Sequence, residues 1–322
     1  MIKRIDNYKS EFEKNNLEYF CPEFKQTITE QELIKILPEY DGWIIGDDPA
    51  TKQVFEAGKK GKLKVAVKWG VGVDNVDFDA CKELNIPITN IPGVFGEEVS
   101  DVAIGYLLCL SRKLHIIDNC VKNGEWFKPC GNSLTDKKVC LIGFGDIGRC
   151  TARKLLAFNM NVFVSDPGFE KINDQIVCKY NPLLNIKSEL NNVNITSLET
   201  AINNCDYIIV TCALNNFTYN LINKQNILLA NPGVRIINVS RGPIINESDV
   251  IELLESNHID AVGFDVFEKE PLEENNKLMC YKQNIFGTHN GSNTIEAVDK
   301  VSLIAIDKLN DFLSQLNSSI VC

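Results

Sequence analysis

Short apolar runs alternate with amphipathic stretches along most of this chain, and that alternation predicts an α/β protein with parallel sheets. Residues 42–45, 63–68 and 86–91 read as short buried strands. Thr29-Glu30-Gln31-Glu32 is a capping box flanked by an Ile28/Leu33 staple, so a helix opens there and stops at Pro38. A second helix fits 77–84, a short polar helix fits 1–17, and 17–24 fits a strand. A separate α/β unit follows, with β-rich runs at 139–142, 161–164, 207–210, 234–239, 259–266 and 285–287. A long apolar helix over 98–113 stands between the two units, and 124–134 reads as a loop. Residues 168–197 are polar and Asn-rich, without clear periodicity, while 294–316 carries apolar residues at helical spacing.

The second unit is organised around 139–166. An apolar run ends in Gly143-Phe144-Gly145-Asp146-Ile147-Gly148, a helical stretch follows over 149–158, and a second apolar run ends at Ser165-Asp166. Strand, glycine turn, helix, strand and acid in this order form a dinucleotide fingerprint. Gly143 permits the tight turn, Gly145 lets the backbone approach a pyrophosphate, and Gly148 lets the helix pack closely. N–H groups of the first helical turn would face the phosphates. Asp166, eighteen positions beyond Gly148, can accept from a ribose 2′-OH and would repel a 2′-phosphate. Pro167-Gly168 offer no cation, so NAD is expected rather than NADP.

Composition narrows the partners. The chain has 322 residues, 44% hydrophobic and 24% charged, with a net charge of −10, which disfavours nucleic acid as a main partner. No apolar stretch reaches the length of a membrane span, and the first residues show no secretory signal. The twelve cysteines are scattered without a CxxC pair and there are only three histidines, so neither a zinc site nor a disulfide framework is expected. Cys109 and Cys140 sit in apolar runs and read as core packing; a reduced, cytoplasmic protein is expected.

Ligands of open α/β sheets bind beyond the carboxyl ends of the strands. Ser240-Arg241-Gly242 follows one strand, Asp265 to Glu270-Pro271 another, and Thr288-His289-Asn290-Gly291 the last. An arginine, a carboxylate and a histidine at one edge suit hydride exchange between a hydroxyl and a carbonyl. The histidine moves the proton, the carboxylate fixes its tautomer, and the arginine clamps a substrate carboxylate. His115 and His258 read as ordinary loop residues.

These segments resemble the D-2-hydroxyacid dehydrogenases. The likeness rests on 68–77 (Lys68-Trp69-Gly70-Val71-Gly72 onward), the 143–149 glycine turn, Asn238 to Pro243, Phe264 to Pro271 and His289 to Thr294, in family order from about residue 40. It implies two Rossmann-like domains, the first discontinuous: 1–98 plus 291–322 for substrate and 99–290 for NAD. It implies that Arg241 binds substrate, that Glu270 pairs with His289 as general acid/base, and that Asp265 meets the nicotinamide carboxamide. Asp146, Ile147, Thr211, Cys212, Thr218 and Ser240 complete the expected cofactor set. Backbone N–H groups around Gly70, Val71 and Gly72 would hold the substrate carboxylate, with closure over NAD excluding water. The helix over 98–113 would be one of two connections between the domains.

A homodimer and a small 2-hydroxy or 2-oxo acid are the implied partners. The nearest branch is that of phosphoglycerate dehydrogenase, with Lys68 placed for a phosphate, which implies 3-phosphoglycerate/phosphohydroxypyruvate. Glycerate/hydroxypyruvate or another D-2-hydroxy acid, and a non-catalytic NAD-sensing co-regulator of the same fold, are the alternatives. Departures are Thr288 for the usual proline, Thr211-Cys212-Ala213-Leu214 for His-x-Pro-Leu, and the length of the Asn-rich stretch. With the chain stopping at Cys322, no regulatory domain and no serine feedback through one are expected.

Overall fold

Every strand of the main sheets runs parallel to its neighbours, so neighbouring strands are joined by crossover connections rather than tight hairpins. The computed structural model describes residues 2–23, 28–181, 183–184 and 186–318. Contacts divide the chain into two units, one of residues up to Phe95 together with those from Asn293 onward, the other Gly96–Ser292.

The first unit holds a three-stranded sheet of β1 (Gly42–Ile45), β2 (Val65–Lys68) and β3 (Ile88–Thr89), in that order. All four residues of β2 are buried, as the middle strand of a covered sheet requires. Helices α1 (Lys9–Lys14), α2 (Glu30–Ile36), α3 (Lys52–Lys60) and α4 (Phe78–Glu83) belong to this unit. Thr29 caps α2 through the expected capping box with Glu32, and Ile28 and Leu33 share one core cluster. Asp77 caps α4, accepting from the Ala80 N–H at 2.8 Å. No strand forms over residues 17–23, and Phe24, the end of the strand expected there, lies outside the described residues.

The second unit opens with α5 (Gly96–Arg112) and α6 (Leu114–Lys122). Its strands are β4 (Lys138–Ile142), β5 (Asn161–Ser165), β6 (Phe169–Ile172), β7 (Gln175–Cys178), β8 (Asn194–Ile195), β9 (Tyr207–Val210), β10 (Val234–Asn238), β11 (Ile259–Phe264) and β12 (Ile285–Phe286). The helices among them are α7 (Asp146–Ala157), α8 (Leu198–Ile202), α9 (Lys224–Ile227) and α10 (Glu247–Glu255). Seven strands lie in the order β12-β11-β10-β9-β4-β5-β8. The chain winds outward in one direction from β4 and in the other from β9, which leaves a crevice beyond the carboxyl ends of these two strands. The long helix α5 belongs wholly to this unit and packs against α7 and the β10–β12 side of the sheet. After β12 the chain returns to the first unit as α11 (Ile295–Ser318), which packs on β1 and β2 there.

One element departs from the parallel pattern. Within the Asn-rich stretch, β6 and β7 form an antiparallel hairpin, with Ile172 opposite Gln175. Asn173 and Asp174 at its tip have φ of 49° and 62°, the signature of a type I′ turn. The strands lack a clean apolar alternation, which hid them in the sequence.

The glycine turn sits at the crevice, and each glycine answers to a different constraint. Gly143 has φ +93°, and a Cβ there would lie 2.6 Å from the Cys212 backbone nitrogen. A Cβ on Gly148 would fall 2.2 Å from the Gly143 carbonyl oxygen. A Cβ on Gly145 would meet nothing within 4 Å, and its φ is an ordinary −64°. The protein itself therefore does not require glycine at 145. Gly143→Ala is expected to lower the melting temperature by several degrees, as about 1–3 kcal/mol of strain would. Gly145→Ala is expected to leave it unchanged while raising the NADH dissociation constant about tenfold or more. Thermal melts and NADH fluorescence titration of both variants check this.

Candidate active site

The three adjacent strands β10, β11 and β12 end at one edge of the sheet, and the residues beyond them meet. His289 follows β12 with φ +55°, a conformation that costs a non-glycine residue about 1–2 kcal/mol and is held by its surroundings. Its N–H donates to the Asp265 carbonyl at 2.7 Å. Its Nδ1 lies 2.8 Å from Glu270 Oε2, and its Nε2 lies 3.5 Å from Nη1 of Arg241. The histidine ring is half-exposed, so Nε2 is accessible beside the guanidinium.

Glu270 is partly buried, and burial alone would raise its pKa. The His289 bond, the Phe267 N–H donating to Oε1 at 3.0 Å and the charge of Arg241 outweigh that, so the carboxyl is held below the usual glutamate range. An ionised Glu270 on Nδ1 assigns the other ring nitrogen as the working one and favours the imidazolium. Arg241 donates from Nη1 to the Ser240 carbonyl at 2.8 Å, and its own carbonyl accepts from Asn238 Nδ2 at 2.9 Å. Asn238 Oδ1 also accepts from the Ser240 N–H at 3.1 Å. The sequence marks Asn238 only as the start of a family-like segment and gives this buried side chain no role, although a polar residue directly after Ile236-Ile237 at a strand end is a usable signal. Sequence reading also missed a reciprocal pair: Glu247 accepts from the Glu268 N–H at 2.6 Å, and Glu268 accepts from the Glu247 N–H at 2.9 Å. Burial raises the Glu247 pKa, its bond to the Glu268 N–H opposing this. The pair ties the Glu270 loop to the start of α10.

At the crevice, α7 begins at Gly145 with no side chain capping it, so its first N–H groups are available to an anion. Asp146 and Ile147 open that helix, with Asp146 Oδ1 3.7 Å from Arg149. Asp166 braces the turn: Oδ2 accepts from the Phe144 N–H at 2.7 Å and Oδ1 from the Gly168 N–H at 2.8 Å. A carboxylate has about four acceptor sites, so capacity remains for a ribose hydroxyl. Beside Asp166 runs a groove of about 480 Å³ to which the hairpin brings Lys171 and Lys179. Cations are thus present near this acid, although Pro167-Gly168 supply none; the fold returns them from further along the chain.

The other expected cofactor residues turn their polar groups largely to the backbone. Thr211 donates to the carbonyls of Ile142 and Gly143, both at 3.0 Å. Ser240 donates to the Cys212 carbonyl. Thr218 donates to the Ala213 carbonyl at 2.7 Å and closes its own loop. Burial pushes the Cys212 thiol up to about 12, so it stays protonated. Asp265 is 3% exposed, and its carboxylate accepts from the N–H groups of Asn290 and Gly291 at 3.2 and 2.8 Å. Thr211 and Cys212 lie against the glycine turn, and an open Gly145 above an uncapped helix suits a dinucleotide pyrophosphate.

In the first unit, Lys68 ends β2 just before Gly70-Val71-Gly72. Its side chain is 4% exposed, donates to the Gly46 carbonyl, and lies 3.6 Å from Asp47 Oδ1. Gly70 has φ +114° and Val71 is exposed. The Gly70 carbonyl accepts from the Ile91 N–H at 2.9 Å, and the Val71 carbonyl from Asn90 Nδ2 at 3.0 Å, so the loop is tied by its carbonyls. Among the described residues no helix is long and apolar enough to cross a membrane.

Known proteins resemble this chain in sequence and fold. Residues 104–291 match the family model for the NAD binding domain of D-isomer specific 2-hydroxyacid dehydrogenases, and NAD is the cofactor. The chain is 31% identical over 287 residues to a hydroxypyruvate reductase of Thermotoga maritima, covering 88% of each protein. It is 29% identical to a D-3-phosphoglycerate dehydrogenase of Archaeoglobus fulgidus, covering 92% of this chain and 53% of that one. The structure of D-lactate dehydrogenase from Escherichia coli superposes with a TM-score of 0.80 at 25% identity, over 99% of this chain and 96% of that chain. A glycine turn at the point where strand order reverses, with arginine, glutamate and histidine gathered at the same sheet edge, accompanies these matches, and the chain belongs to the D-2-hydroxyacid dehydrogenase family.

Proposed function

We propose that this protein reduces a small, unphosphorylated 2-oxo acid, of the hydroxypyruvate or glyoxylate class, to the D-2-hydroxy acid. The observation that carries this is the Glu270–His289–Arg241 group, with the imidazole held at Nδ1 and its Nε2 beside the guanidinium. NADH, when bound, supplies the hydride to the carbonyl carbon. His289 gives its Nε2 proton to the carbonyl oxygen, Arg241 holds the substrate carboxylate and polarises the carbonyl, and Glu270 stabilises the imidazolium before transfer. In the reverse direction His289 takes the hydroxyl proton. The uncapped start of α7 would hold the pyrophosphate and Asp166 the ribose. The backbone of Gly70, Val71 and Gly72 is the candidate support for a substrate carboxylate. The burial of the Lys68 ammonium against Gly46 and Asp47 supports the unphosphorylated substrate, because a phosphate would have to draw it out of that contact. The hydroxypyruvate reductase relative agrees with this choice. The second reading, 3-phosphoglycerate/phosphohydroxypyruvate, is favoured by the place of Lys68 immediately before the glycine loop and by the phosphoglycerate dehydrogenase relative. A homodimer is proposed as the assembly.

NADH oxidation with hydroxypyruvate, glyoxylate, pyruvate and phosphohydroxypyruvate is the direct test. Activity is expected on the unphosphorylated acids, and Lys68→Met should change their relative rates little. A preference for phosphohydroxypyruvate that Lys68→Met abolishes would transfer the assignment to the second reading. His289→Ala should remove turnover and leave NADH binding nearly intact; wild-type turnover in that variant would refute the proton assignment.

Reduction needs the imidazolium, and the negative charge of Glu270 raises the pKa at which it is lost. Glu270→Gln should therefore move the alkaline limb of the reduction rate to lower pH by about one unit or more, read from kcat/KM against pH. Asp166→Ala should weaken NADH binding and narrow the preference for NADH over NADPH, since removing the acid leaves two cations, Lys171 and Lys179, against one carboxylate, Glu170, in the groove. Titration of both nucleotides measures it, and an unchanged ratio would remove Asp166 from cofactor choice.

A further inference from the structure

Behind the histidine loop lies a contact that the chemistry above does not use. Tyr106, on α5, is buried against β11 and directs its hydroxyl to Asp265 Oδ1 at 3.3 Å. Asp265 in turn gathers three consecutive backbone N–H groups: that of His289 on its carbonyl, and those of Asn290 and Gly291 on its carboxylate. Two glycines make room for this arrangement. A Cβ on Gly263 would lie 2.9 Å from Cβ of Tyr106. A Cβ on Gly287 would lie 2.2 Å from the tyrosine hydroxyl and 2.1 Å from Asp265 Oδ1. No proline fixes the backbone over 287–291, yet His289 is held at φ +55°.

We propose that Tyr106 is a positioning residue for the proton relay: its hydroxyl orients the Asp265 carboxylate, which fixes the turn that carries the His289 imidazole. The inference rests on His289 as the proton donor of the proposed reaction. Burial, followed by the charge of Asp265 and its hydrogen bond, keeps the phenol protonated above the ordinary tyrosine range, with Cys109 a smaller influence in the same direction. Tyr106 therefore remains a donor at every working pH. Each N–H bonded to Asp265 removes a degree of freedom from the loop, and a catalytic group misplaced by about 1 Å can cost orders of magnitude in rate.

Tyr106→Phe keeps the ring and removes only the hydroxyl. It is expected to lower kcat about threefold to tenfold, with KM for the 2-oxo acid and the NADH dissociation constant within about twofold of wild type. Hydrogen exchange of the Asn290 and Gly291 amides should quicken about tenfold, while the amides of 143–148 keep their rates. Asp265→Asn should cost more, and the double variant should be no slower than Asp265→Asn alone, because the hydroxyl acts through that carboxylate. Unchanged kcat with unchanged exchange in Tyr106→Phe, or additive losses in the double variant, would overturn the proposal. If the wild-type protein reduces no 2-oxo acid, the proposed reaction fails, and exchange at 290–291 alone decides whether Tyr106 holds the loop.

Discussion

The parallel order of the strands is the constraint on which the site depends. Because β10, β11 and β12 are neighbours running the same way, whatever follows each of them must emerge at one edge. Arg241, Glu270 and His289 are far apart in sequence and meet only for this reason. The same rule puts the glycine turn after β4 beside Thr211 and Cys212 after β9, where the winding of the sheet reverses. The crevice and the catalytic edge are thus two consequences of one strand order.

Carboxylates do much of the work of holding loops at that edge. Asp166 ties the glycine turn, Asp265 ties the histidine loop, and Glu247 with Glu268 ties the loop bearing Glu270. In each case a carboxyl group accepts from backbone N–H groups that no helix or strand satisfies. Such bonds are charge-assisted and among the stronger ones available to a loop. They allow irregular backbone, including the left-handed His289, to keep one conformation beside a reactive group.

The buried cysteines of this chain serve packing. The cysteines among the described residues are free thiols, and burial raises Cys81, Cys205 and Cys212 to about 12 and Cys140 well above its usual value. A thiol in that state is a small apolar side chain, consistent with Cys140 in β4 and Cys205 before β9 lying in the same core cluster.

The sequence by itself determined the alternation of strands and helices, the glycine turn with its acid, the capped helix at Thr29, and the three residue types expected at the sheet edge. These are local signals: turn geometry, capping and apolar runs are settled by neighbours a few positions apart. It did not reveal the β6–β7 hairpin, whose turn chemistry was visible at Asn173-Asp174 but whose strands lack alternation. Nor did it place Lys171 and Lys179 near Asp166, Lys68 in its buried contact, or Tyr106 against Asp265. Lys171 and Lys179 lie only five and thirteen positions beyond Asp166 but reach its groove through the hairpin, whereas Lys68 with Gly46 and Tyr106 with Asp265 join positions 22 and 159 apart. Their partners are chosen by which elements the sheet brings together, and only the tertiary structure fixes that, because burial and long-range hydrogen bonding exist only once the chain has packed.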